Sequence, residues 1–123
     1  MKDTIIENHA TLIESFGQSE FAKSVFSQLN KEFAKIGILI EFNDDDLLTF
    51  PKFKKRLTEE IELIMRTSPN SISQLLYVID LPEQSVNDIF NTATEPIESL
   101  SEMLLIRIAQ KVYFREKYKL GLL

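Results

Sequence analysis

Few side chains in this sequence could do acid–base or covalent chemistry. His9 is the only histidine. It falls inside an apolar helical stripe made of Ile5, Ile6, Leu12, Ile13 and Phe16. Glu7 and Glu14 are near in sequence, but neither stands three or four residues away, so neither shares its helical face. A serine hydrolase triad would need this histidine as its base. Helix-borne zinc and iron sites use His-Glu-x-x-His or Glu-x-x-His spacings, and the sequence has neither. Glu59-x-x-Glu62 and Asp44-Asp45-Asp46 offer carboxylates to a hard cation such as Mg²⁺ or Ca²⁺. Leu47-Leu48 then stand where a calcium loop places its glycine and further oxygen ligands. There are no cysteines, which removes disulfides, thiolate metal sites and thiol nucleophiles together. The three glycines, Gly17, Gly37 and Gly121, are too far apart to cradle a phosphate. The sequence therefore predicts no catalytic residue, no metal ligand and no cofactor.

Binding chemistry has better candidates. Arg107, Lys111, Arg115 and Lys119 recur every four residues. On a helix each such step drifts by about 40°, giving a slanting basic row. Tyr113, Phe114 and Tyr118 are interleaved with it. Cations beside aromatics suit single-stranded nucleic acid, where rings stack on bases. They equally suit long aliphatic stems lying over an apolar surface, against an acidic partner or the acidic body of the same molecule. Arg107, Lys111, Tyr113, Phe114, Arg115, Tyr118 and Lys119 are the candidate interaction surface, and a protein partner is the favoured reading.

Residues 71–91 resemble a helix-turn-helix: a short helix, a break at Asp80-Leu81-Pro82, then a helix with Val86, Ile89 and Phe90 inward. Such a unit implies DNA in contact with the second helix. Here that helix would expose Glu83, Gln84, Ser85, Asn87 and Asp88. Two carboxylates and no cation oppose a phosphate backbone. Leu76 and Asp80 also replace the small residue and the glycine usual in that motif. A packed helical corner is the expected use. The run Lys52-Phe53-Lys54-Lys55-Arg56 precedes Glu59 and Glu60, so Lys55–Glu59 and Arg56–Glu60 pairs on a solvated face are expected.

The elements that must position these groups are helices. Asp3 and Gly17 bracket a first helix over 4–16, and Ser19 caps a second that ends at Gly37. The second carries Phe21, Ala22, Val25, Phe26, Leu29, Phe33 and Ile36 on one face. Ile38 to Phe42 reads as a strand or as an extended apolar crossing over the core, and the crossing is preferred because a lone strand lacks a partner. The acidic triplet then opens a short helical turn. Pro51 starts a helix with Phe53, Leu57, Ile61, Ile64 and Met65 inward, to about Arg66. A short helix with Ile72, Leu75, Leu76 and Ile79 follows. Asp80 and Glu83 read as a capping box for the next, and 91–94 as a loop. The last helix, 96–119, is apolar on nearly every side from Met103 to Ala109. A helix of that kind is enclosed by others.

These elements predict an all-α fold: one compact domain over 1–123, a non-repetitive bundle of about six helices around a long central C-terminal helix. The 123 residues and 44% hydrophobic content suffice for a core without staples. The N-terminal residues hold no apolar run of signal-peptide length, and no segment reaches the roughly 20 apolar residues of a membrane span, so a cytoplasmic protein with no membrane association is expected. Charge is uneven: residues 1–102 carry 9 basic and 18 acidic side chains, residues 103–123 carry 5 basic and 1 acidic. The expected function is a non-catalytic interaction or regulatory domain that binds a protein partner, itself included, as a homodimer or larger homo-oligomer. The alternative is a nucleic-acid-binding module using 71–91, the basic row, or both.

Overall fold

The computed structural model describes residues 9–121. The expectations for Asp3, Ile5, Ile6, Leu122, Leu123 and the His9 side chain lie outside the described residues. Six α-helices are present among them: α1 (His9–Ser15), α2 (Ser19–Ala34), α3 (Phe50–Thr67), α4 (Pro69–Ile79), α5 (Glu83–Thr92) and α6 (Pro96–Lys119). One 3₁₀ turn, Asp44–Leu47, sits between α2 and α3, and no strand occurs among the described residues. The molecule is an all-α bundle. None of the described helices is long and apolar enough to cross a membrane.

α6 is the central post, and it packs against each of the other five helices. Leu100, Leu104, Leu105, Ile106, Ile108, Ala109 and Val112 are all buried along it. Ser101 is buried too, with its hydroxyl donating to the Ile97 carbonyl at 2.9 Å, so no polar hydrogen is orphaned there. The expected stripe of α3 is realised, since Phe53, Leu57, Ile61 and Ile64 are buried and Met65 packs at their edge. On α2, Phe21, Ala22, Val25, Leu29 and Phe33 are buried.

Phenylalanine does the work of the missing tryptophan at one end. Phe16 meets Phe21, Phe50 and Phe53 edge-on, at centroid distances of 5.5, 5.2 and 5.3 Å. Edge-to-face pairs place a positive ring edge on a negative face and each adds about 0.5–1.5 kcal/mol to area burial. The segment 38–42 is the extended crossing. Ile40 is buried, and Phe42 inserts between Phe26 and Phe53, capped by the Arg56 guanidinium 5.1 Å above its ring. The 3₁₀ turn opens on a reciprocal cap: Asn43 accepts from the Asp46 amide, and the Asp46 carboxylate accepts from the Asn43 amide.

Several helix ends depart from the sequence reading. Gly37 does end α2 in the left-handed region, with the Ile38 amide donating back to the Phe33 carbonyl at 3.0 Å. Gly17 does not adopt that region; its amide donates to the Glu14 carbonyl in an ordinary turn. Ser19 is the first residue of α2, after Gln18 in the cap position, and makes no side-chain cap. Asp80 is not the cap of α5. It ends α4 at φ +67°, and the Leu81 amide donates to the Leu76 carbonyl at 3.2 Å. An aspartate takes the place glycine usually fills in this closing turn. α5 runs on to Thr92, and Phe90, expected inward, is 42% exposed. Val86 is the buried residue of this helix, and Ile89, also expected inward, is half-buried.

Two stability measurements follow from this geometry. Urea denaturation of Leu104→Ala shows a loss of about 2–5 kcal/mol, the usual range for emptying an enclosed leucine site. Asp80→Gly gains about 0.5–1 kcal/mol by relieving the left-handed backbone, whereas Asp80→Val loses about 1–2 kcal/mol.

Candidate interaction surface on the last helix

The basic row divides according to what its drift brings it against. Lys111 reaches the α2 side, with its ammonium 3.6 Å from the Glu32 carboxylate. One turn on, the Arg115 guanidinium donates to the Gln28 side-chain oxygen at 2.8 Å. The Gln28 amide donates in turn to Glu32 at 2.9 Å, and Lys35 holds the other Glu32 oxygen at 3.2 Å. Glu32 is only 3% exposed. Burial pushes its carboxyl upward, but the hydrogen bonds from Gln28 and Lys35 and the charge of Lys111 outweigh that, so it lies below the ordinary glutamate value. Half of the basic row is thus spent on the acidic body of its own chain.

Glu32 escaped the sequence reading. Its position was the available signal, because it stands three residues after Leu29 and four before Ile36 within the apolar stripe. A carboxylate placed there must find cations or stay neutral.

The other edge of α6 is pinned similarly. Lys54 of α3 lies 3.1 Å from Glu98 and 3.2 Å from Glu102. Burial lowers its ammonium, the two carboxylates raise it, and the net shift is upward. Several of the remaining carboxylates are engaged in local pairs. Asp45 meets Lys52 at 3.0 Å, Glu59 meets Lys55 at 2.8 Å, and Arg56 joins Asp46 and Glu60. Among the described residues no three carboxylate or histidine side chains gather as metal ligands would.

Arg107 is different. It has no ion-pair or hydrogen-bond partner among the described residues, and it lines an open groove of about 780 Å³. The α4–α5 corner forms one wall through Leu81, Pro82 and Ser85, and α6 forms the other through Met103, Ile106 and Gln110. Asp80 and Glu102 stand at its rim. Past Val112 the helix leaves the core. Tyr113 and Phe114 are half-buried, 6.1 Å apart, and Lys117 lies 5.2 Å over the Tyr113 ring. Tyr118 and Leu120 are 75% and 70% exposed, and Lys119 is exposed beside them.

The helix-turn-helix-like unit is present as α4, the turn at Asp80, and α5. The outer face of α5 exposes Glu83, Gln84, Asn87, Asp88 and Phe90. Gln84 is occupied by its own neighbour, donating to Asp88 at 2.9 Å.

These features define an all-helical bundle with an open groove beside α6 and a helix end that runs past the core. Comparison with known proteins finds no matching family model, no matching curated protein and no matching solved structure.

The Glu32 cluster gives a pH prediction with a definite sign. A carboxyl lowered by folding contributes stability that is complete above its unfolded value and disappears as pH falls through the folded one. The stability advantage of the native chain over Glu32→Gln therefore shrinks between about pH 5 and pH 3, followed by urea midpoints. At neutral pH Lys111→Met costs about 1–3 kcal/mol by leaving a buried carboxylate with one cation fewer.

Proposed function

We propose that the protein is a non-catalytic helical interaction domain that associates with itself through the far half of α6. The observation that carries this reading is the change of exposure along one helix. Val112 is fully buried, whereas Tyr118 and Leu120, less than three turns on, stand mostly in water. Isolated apolar side chains on a surface need no explanation, but Tyr118 stands one turn after half-buried Phe114 and Leu120 two turns after half-buried Tyr113, so each carries an apolar line outward from a ring at the edge of the core. Aromatic residues are also enriched at protein interfaces relative to the rest of the surface.

The nucleic-acid alternative has less to draw on. Lys111 and Arg115 are turned onto Glu32 and Gln28, and the outer face of α5 carries two carboxylates. Phosphate contacts need cations presented together toward solvent.

Sedimentation equilibrium at tens of micromolar is expected to give a dimer or larger species. The double variant Tyr118→Glu, Leu120→Glu keeps its helical circular dichroism, since exposed positions shift stability by only about 0.5 kcal/mol, and sediments as a monomer. A native chain that is already monomeric sinks the self-association. In filter binding at about 50 mM salt, no affinity for single-stranded DNA or RNA is expected, and tight binding there would favour the alternative.

A further inference from the structure

We propose that two copies pair through their α6 helices laid antiparallel, with the twofold axis crossing between Gln110 and Tyr113. The inference rests on the self-association reading and names its geometry. α6 presents to the groove a row made of Ser99, Met103, Ile106 and Gln110. Continued along the helix, the same row runs through Tyr113, Lys117 and Leu120. Its steps are four, three, four, three, four and three. That alternation keeps a seam on one side of a helix against a partner helix. The row extends over about 30 Å at 1.5 Å per residue, long enough for an interface of ordinary size. Its first half lines the groove, and its second half runs through half-buried Tyr113 and Lys117 to exposed Leu120, so the groove and part of the exposed helix end lie along one strip.

Charge decides the direction. The groove carries the carboxylates of Asp80 and Glu102 beside the Arg107 guanidinium, and Glu102 shares Lys54 with Glu98, so the early part of α6 and its surroundings keep a small negative excess. The late part is basic, with Lys117 and Lys119. In a parallel pair, each Lys117 on the seam meets its own counterpart, and like charges at a desolvated contact are repulsive. In an antiparallel pair, Lys117 faces Ile106 of the second copy and Leu120 faces Met103. The lysine stem then covers apolar floor while its ammonium reaches the acidic rim. A second copy therefore brings to the groove the apolar side chains of Tyr113 and Leu120 and the aliphatic stem of Lys117. The contact is isologous, so each molecule gives one helix end and receives one.

The absence of native cysteine makes the geometry directly readable. Met103→Cys and Leu120→Cys are prepared separately and treated with a short bismaleimide, alone and as a refolded mixture. The antiparallel pair cross-links in the mixture only, because each cysteine lies about 25 Å along the axis from its own symmetry mate. Lys119 is exposed and off the seam, so a nitroxide on Lys119→Cys gives a second readout that does not disturb packing. Its dipolar spectrum places the two labels beyond about 20 Å. Lys117→Glu weakens dimerisation about tenfold or more. Cross-linking of either variant alone, or a short label separation, overturns the antiparallel pairing and leaves self-association standing. A dimer that fails to cross-link in the mixture overturns it as well. A native chain that sediments as a monomer overturns both.

Discussion

A helix enclosed on most of its circumference can carry charge only where the enclosure opens. That constraint, acting on α6, arranges the rest of the molecule. Between Leu100 and Val112 the other five helices close around it, and the side chains facing them are apolar or, in Ser101, internally satisfied. The charges appear at the three openings: Glu98 and Glu102 toward Lys54, Lys111 toward Glu32, and Arg107 toward the groove. Beyond Val112 polar groups appear on every side, because the post has outrun the bundle that encloses it.

The two ion clusters occupy equivalent places on opposite flanks of the post. Each joins α6 to a neighbour, α3 through Lys54 and α2 through Glu32. Neither resembles a reactive dyad, because in each one charge is surrounded by several opposite or hydrogen-bonding groups. Such an arrangement favours the ionised form and fixes the rotation of α6 about its own axis. Fixed rotation in turn determines which strip of α6 stays open beside the α4–α5 corner.

Much of this was legible in the residues. The period of α3 and the all-round apolar run of α6 pointed to their burial, and the β-branched residues of 38–42 were rightly read as a crossing once no partner strand could be found. What was misread was local. Asp80 and Glu83 have capping-box spacing, but Pro82 fixes the chain so that the helix begins after it and Asp80 belongs to the preceding one. Phe90 looked internal by residue type, yet α5 is short and Val86 is its one buried residue. The groove was not legible at all. It depends on how far the α4–α5 corner stands from α6, which no single helical period encodes. Of the seven candidate surface residues, Lys111 and Arg115 turn back on the chain itself. Tyr118 and Lys119 remain in water, and Arg107, Tyr113 and Phe114 lie between.

The order of elements along the chain carries a cost during biosynthesis. α1 to α5 leave the ribosome before the helix they all lean on. Until α6 emerges, the buried faces of these five helices lack the element that all of them pack against. The nascent chain is therefore a set of amphipathic segments awaiting their axis, and such exposed apolar faces are what chaperones bind. Consolidation is set by the last described helix to be translated rather than the first.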